Sequence, residues 1–343
     1  DKPMKVSFVS SQAISKALQY QTQKMTSELT KAQKEVQTLR VADVGLALGA
    51  RAGISASLNR EVSRLNGLLD TNQLASSRLD STQVALQNLT KLSENLISAL
   101  TTAMADVANN QIVKDQATSV LSTMTAILNT NLNGEYIFAG INTDVKPFSD
   151  FLDPNSENRQ AFEAAFTAAG LGTPISAADI TGFLGSYGAT LTDADWAKWS
   201  KATNKEITSR ITLTENAQTS VSANIKGIKQ LAKAAATVVA LIDKPLEDDA
   251  REALLEYAIS AAGVAVTELA KQQGFVGVTQ QRIEQANERM SMQIDLFKES
   301  ISDLEGIDPY EASTRVTGLM QQIEISYSLT SRMQQMSLLK YLS

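Results

Sequence analysis

The sequence contains neither cysteine nor histidine. Without cysteine there are no disulfides, no thiolate nucleophiles and no thiolate-bound metals. Without histidine there are no Ser-His-Asp or Cys-His arrangements, no H-E-x-x-H zinc sites and no imidazole general base. An enzyme of this composition would rely on carboxylates, Lys, Tyr or a bound metal. Asp193 and Asp195 are two residues apart, which on a strand puts them on one side, and no base or nucleophile supports them. We therefore expect a structural protein with no catalytic, cofactor-binding or metal-binding residues.

A basic surplus is also missing. The 31 Lys and Arg against 37 Asp and Glu leave a formal net charge of −6, which argues against general nucleic-acid binding. No apolar run approaches the ~18 residues of a membrane span. The nearest candidate, Ala232 to Ile242, is interrupted by Lys233. The N-terminus has no signal-peptide pattern of basic, apolar and cleavage regions. Met4, after Asp1-Lys2-Pro3, reads as the native start.

Proline and aromatic residues are scarce in the first third. No proline falls between Pro3 and Pro147, and no aromatic between Tyr20 and Tyr136. What remains is helical patterning. Leu18, Met25, Leu29, Ala32, Val36 and Leu39 recur at intervals of 7, 4, 3, 4 and 3, an a/d seam that needs a partner helix. Gly45, Gly49 and Gly53 follow at intervals of four, without the G-x-x-x-x-G-K-[ST] order of a phosphate loop. From Leu58 to Asn131 the apolar residues Leu65, Leu68, Leu79, Leu86, Leu89, Leu96, Leu100 and Val107 keep to intervals of 3, 4, 7 and 11. This reads as a rod, with one break near Asn109-Asn110.

The stretch Asn133-Gly134-Glu135-Tyr136-Ile137-Phe138-Ala139-Gly140 ends that pattern. Asn-Gly is a strong turn signal, the alternating Tyr136, Ile137 and Phe138 read as a short strand, and Gly140 closes it. Gly134 serves the turn, and Tyr136 and Phe138 are expected to pack against the rod. Ten of the 18 aromatics lie between Tyr136 and Trp199. Residues 142–215 thus read as an inserted small α/β or β-rich module with its own aromatic core. Trp196 and Trp199 fit that core better than a glycan-stacking pair. Helical patterning resumes near Glu215 and is interrupted at Pro245. The acids Glu247, Asp248 and Asp249 then suit the first turn of a helix, whose dipole end is positive. That helix is expected to run to about Gln273, break at Gly274 and Gly277, and continue to Leu304 before Gly306 and Pro309.

The last segment, about Tyr310 to Leu342, is amphipathic, with Val316, Leu319, Met320, Ile323, Tyr327, Met333, Met336 and Leu339 on one face. Its length matches the first helix, so the two ends read as partners. The expected organisation is a mainly α chain in three parts. Residues 4–45 with 305–343 form a terminal coiled coil, 46–141 with 216–304 a helical rod, and 142–215 an outer insert. Terminal helices that pair in this way suit assembly into rings or tubes. Leu18, Met25, Leu29, Val36, Leu39, Val316, Leu319, Ile323, Tyr327, Met333, Met336 and Leu339 are the candidate subunit-interface residues.

Three stretches resemble the flagellin superfamily. Asn133 to Gly140 is similar to its N-G-x-Y-[IL]-F-[AG]-G signature. Asp308 to Leu342, with Ser326-Tyr327 and the Ser337 to Leu339 run, is similar to its C-terminal helix. Gly277 to Asn287 is similar to the G-x-x-x-x-R-[IL]-E segment of its C-terminal rod. Arg40-Val41-Ala42-Asp43-Val44-Gly45 departs from the Asp-Asp-Ala-Ala-Gly motif of enteric flagellins. The Arg-containing segment sensed by innate immunity is not evident around Leu86 to Leu96. Both departures lean towards the alphaproteobacterial hook–filament junction group of the superfamily and away from an enteric filament flagellin. The resemblance implies an extracellular, non-enzymatic subunit of the bacterial flagellum, exported without a cleaved signal peptide. Its implied partners are copies of itself, hook-associated protein 1, flagellin, and an export chaperone on Val316 to Leu339. A filament-forming flagellin is the alternative, and a surface glycan-binding homologue a more distant one.

Overall fold

The structure, a computed structural model, describes residues 11–190 and 193–342. The chain is mainly helical. In order it forms α1 (Ser11–Thr38), α2 (Val44–Leu48), α3 (Ala52–Met104), α4 (Asn110–Leu128), β1 (Asn131–Leu132), β2 (Glu135–Tyr136), α5 (Glu157–Ala169), α6 (Ala177–Thr190), α7 (Asp193–Trp196), β3 (Thr208–Arg210), β4 (Asn216–Gln218), α8 (Lys226–Leu241), α9 (Asp248–Glu305) and α10 (Pro309–Leu342). The strands form two separate antiparallel hairpins, β1 with β2 and β3 with β4. The chain divides into two compact units, residues 1–66 with 291–343 and residues 67–290.

In the first unit α1 and α10 pair antiparallel. The Thr22 and Ser326 hydroxyls lie 2.7 Å apart, and Arg315 bonds Glu35 at 3.1 Å. Beyond α1 the backbone closes on the other strand of chain, where the Val41 N–H donates to the Glu305 carbonyl and the Ile307 N–H to that of Leu39. The buried Glu305 carboxylate accepts from the Ser55 hydroxyl and lies 3.6 Å from Arg40. Asp43 caps α2 by accepting the Leu46 N–H, and Gly49 leaves it at φ 54°, which favours glycine.

In the second unit α3 carries a seam in which Asn72, Ala75, Leu79, Thr82, Leu86, Leu89, Ser93, Leu96, Leu100 and Ala103 are all buried at alternating intervals of 3 and 4. The facing row of α9 includes Leu269, Val276, Thr279, Ile283, Ala286 and Met290. Asn72 meets Asn287 at 2.7 Å, Gln280 meets Asp80 at 2.6 Å and Gln273 meets Thr90 at 2.7 Å, which sets the pair antiparallel. At 103–110 the buried Arg251 guanidinium donates to the Ala103 and Asp106 carbonyls and to Asn110. It thereby adds a charged donor to two carbonyls that also accept the Asp106 and Asn109 N–H groups where α3 ends. The chain then turns back. α4 packs on α8, and Glu135 pairs with Arg78 in the middle of α3.

Several expectations are corrected. The break expected near Asn109-Asn110 is present, with α4 starting at Asn110, but the chain does not go on as a rod, because α4 folds back along α3. α9 runs unbroken through Gly274 and Gly277. A helical glycine costs only about 1 kcal/mol, and the buried Val276, Thr279 and Ile283 hold the helix on either side. Helix does not resume at Glu215. Residues 211–225 form a turn, β4 and a loop, and α8 starts at Lys226. Asp193 and Asp195 sit in a helical turn, not on a strand, and the Asp193 side chain lies outside those described. Of the two forms expected for residues 142–215, α/β or β-rich, the structure has the first, with α5 to α7 and the strand β3. α9 also contains an 18-residue window of mean hydropathy 1.4, which the sequence reading did not single out. Ala258, Ala262, Ala265 and Leu269 of that helix are buried in the unit.

The aromatic core forms as expected. Trp196 and Trp199 are each 2% exposed and stacked at 5.7 Å, and Phe151 stacks on Trp199 at 4.9 Å. Buried Phe148 and Phe162 complete it. With both indoles enclosed, neither face is open to a sugar.

Candidate assembly surface

The seam between α1 and α10 explains why these helices form and what they leave uncovered. On α1 it runs Leu18, Thr22, Met25, Leu29, Ala32, Val36. On α10 it runs Ala312, Val316, Leu319, Ile323, Ser326, Thr330, Met333. Both keep strictly to alternating intervals of 4 and 3. Small residues sit deepest: Thr22, Ala32, Ala312 and Ser326 are buried. The larger candidates Leu18, Met25, Leu29, Val36, Val316, Leu319, Ile323 and Met333 are half-buried. Two helices alone cannot enclose them, since a seam this narrow covers each side chain from one side.

Two of the expected interface residues are not in the seam. Leu39 lies one residue past α1, at φ 55° and 47% exposed. Tyr327 follows the buried Ser326 and is 61% exposed. The side chains of Met336 and Leu339 lie outside those described. Thr22 and Ser326, the buried polar pair of this seam, are absent from the interface residues expected from apolar spacing. The signal for Thr22 was the gap of seven between Leu18 and Met25, which a heptad fills with one more inward position.

Around the seam lies uncovered apolar surface. Tyr20, Met320, Ile325, Tyr327 and Leu329 are exposed. An open groove of about 560 Å³ is lined by Leu29, Met320, Ile323 and Tyr327 together with Thr317, Gln321 and Glu324. Tyr327 also edges a larger polar groove with Gln19, Thr22, Gln23 and Thr26. Such a strip costs solvation free energy unless another surface covers it. Among the described residues no cluster of acidic side chains is arranged to hold a metal ion.

The turn motif is built for structure. Asn133 and Gly134 take φ values of 55° and 91°, which closes the two-residue loop between β1 and β2. The strand ends at Tyr136, earlier than the alternation suggested. Ile137, Phe138, Ala139 and Gly140 form a turn and are buried consecutively. The Phe138 carbonyl accepts the Ala223 N–H, and Tyr136 is half-buried with its N–H on the Thr143 carbonyl. Gly140 has φ 65°, and a Cβ there would lie 2.4 Å from the Thr203 hydroxyl. The loop it touches is fastened by Glu206, which accepts from the Ser220 hydroxyl and the Ser222 N–H. Burial pushes the Glu206 carboxyl up, and those two hydrogen bonds offset the shift only in part.

Residues 9–143 match the bacterial flagellin N-terminal helical region, and residues 259–342 match the bacterial flagellin C-terminal helical region. No curated protein sequence matches the chain. Among solved structures, one assigned as a flagellar hook-associated protein from Vibrio parahaemolyticus aligns with TM-score 0.55 at 11% identity, over 74% of this chain and 97% of that one. Bacillus cereus FlgL aligns with TM-score 0.51 at 11% identity, over 72% of this chain and 99% of that one. With both flagellin helical regions present, carried by first and last helices that pair with each other, the chain belongs to the bacterial flagellin superfamily.

Proposed function

We propose that this protein is the hook–filament junction subunit of a bacterial flagellum, hook-associated protein 3. It would join hook-associated protein 1 to the flagellin filament, outside the cell. The observation that carries the assembly reading is the α1/α10 pair. Its seam is half-covered, and Met320, Ile325, Tyr327 and Leu329 remain exposed beside it. In this account the terminal pair, residues 4–45 with 305–343, forms an inner layer. Residues 46–141 with 216–304 form the layer around it, and 142–215 the outer surface. The half-buried Leu18, Met25, Leu29, Val36, Val316, Leu319, Ile323 and Met333 hold the pair together. Leu39 and Tyr327 are then the members of the expected set free to touch a neighbouring subunit. Before assembly an export chaperone covers Val316 to Leu339.

The junction role draws support from the fold of the Vibrio parahaemolyticus flagellar hook-associated protein, 97% of whose chain aligns with this one. The second reading, a filament-forming flagellin, draws on the two flagellin regions themselves. Purified protein, heated, cooled and seeded with short filaments, separates them. The junction reading expects short oligomers only. Long filaments made of this chain alone would support the flagellin reading.

A further inference from the structure

The sequence holds two Asn-Gly pairs, Asn66-Gly67 and Asn133-Gly134, in opposite backbone settings. The first lies inside α3, where the Gly67 N–H belongs to the helical ladder. The second is the exposed loop of the β1–β2 hairpin, with both residues at positive φ. An asparagine followed by glycine is open to attack by the glycine nitrogen on its own side-chain amide, since no Cβ hinders the approach. At Asn133 one feature opposes this. The Gly134 N–H donates to the Asn131 side-chain oxygen at 2.8 Å. The attacking species is the nitrogen after loss of that proton, and a hydrogen bond to the neutral form disfavours the loss.

We propose that Asn133-Gly134 is a site of spontaneous succinimide-mediated deamidation whose rate in the folded protein is gated by Asn131. The Gly134 nitrogen, having given its proton to solvent, bonds to the Asn133 side-chain carbonyl carbon. The carbon–nitrogen bond of the side-chain amide breaks, and ammonia leaves with a proton from water. A second water opens the five-membered imide at either carbonyl, giving aspartate or isoaspartate. No electrons are exchanged with any other reagent. Either product adds a negative charge two residues before Glu135, which pairs with Arg78. The isoaspartate adds a backbone carbon to a two-residue loop whose register is Leu132 opposite Glu135 and Asn131 opposite Tyr136. The modification therefore loosens the hairpin. It is independent of the assembly reading.

The test is peptide mapping by mass spectrometry after incubating the full chain at mildly alkaline pH. Folded wild type, Asn131→Ala, Asn131→Asp and wild type in urea are compared, with isoaspartate scored by isoaspartyl methyltransferase. We expect slow modification at Asn133 in folded wild type and none at Asn66. Asn131→Ala should raise the Asn133 rate about fivefold, the rate equivalent of one exposed hydrogen bond. Asn131→Asp keeps the acceptor and should stay as slow as wild type. In urea the two Asn-Gly pairs should modify at equal rates. An Asn131→Ala rate equal to wild type, in protein whose circular dichroism is unchanged, would overturn the proposal. Should Asn131→Ala not fold, equal Asn133 rates in folded wild type and in urea would overturn it instead.

Discussion

The Thr22 and Ser326 hydroxyls meet at 2.7 Å, 304 residues apart in sequence, inside a mostly apolar seam. Thr22 also donates to the Leu18 carbonyl at 2.8 Å, so Ser326 supplies the proton of the bond between the two side chains. A buried polar pair of this kind fixes register, because sliding one helix takes from the Ser326 hydroxyl the acceptor that Thr22 provides. We expect Thr22→Val to cost about 1–2 kcal/mol by stranding the Ser326 hydroxyl. Ser326→Ala should cost a similar amount, and the double variant less than their sum. Urea unfolding of the four proteins gives the coupling energy directly. Strict additivity would mean that the pair does not specify register.

Arg251 predicts a larger loss at the other end of α3. It is buried, and its guanidinium serves three acceptors where α3 gives way to α4. Arg251→Met keeps much of the stem and removes every donor. It should cost about 3 kcal/mol, in line with charged hydrogen bonds of which the one to the Ala103 carbonyl is buried. Arg251→Lys should recover only part of this, since one ammonium cannot span the same three groups. Thermal unfolding monitored by circular dichroism reads both.

Two glycines of the turn motif should behave differently. Gly140→Ala forces a Cβ to 2.4 Å from Thr203 and 2.6 Å from the Lys205 carbonyl at a left-handed φ. Strain and overpacking together should cost more than about 2 kcal/mol. Gly134→Ala meets no atom within 4 Å and pays only the conformational term, about 1 kcal/mol. Denaturant midpoints of the two variants, compared at equal slope, check the order.

Glu206 gives a pH dependence with a definite sign. Its folded carboxyl is pushed up by burial, so the native state holds that proton more tightly than the unfolded chain does. The contribution is therefore fully present below the unfolded value near 4.5 and is lost as pH rises through the higher folded value. Glu206→Gln keeps an acceptor for the Ser222 N–H and removes the titration. The stability of wild type relative to Glu206→Gln should fall as pH is raised from 4 to 8. A difference that stays constant across that range would contradict the assignment.

The heptad spacing made the paired ends and the α3 seam readable, because a period of 3.5 admits only a helix against a helix. The fold-back after Met104 was not readable. It depends on Arg251 reaching the Ala103 and Asp106 carbonyls from a distant helix, and no local spacing encodes that. The continuity of α9 was missed for the opposite reason. Gly274 and Gly277 are weak local breakers that long-range packing overrides. Leu39 and Tyr327 show the limit at the candidate surface. Apolar identity at nearly the right interval did not distinguish a seam position from its exposed neighbour, whereas one extra residue past the end of α1 or past Ser326 does.

If this chain joins hook to filament, a strain deleted for it makes hooks that cannot carry a filament. Electron microscopy should show hooks without filaments, and the medium should contain shed flagellin monomers. Filaments of normal length on those hooks, or bare hooks with no flagellin in the medium, would contradict it.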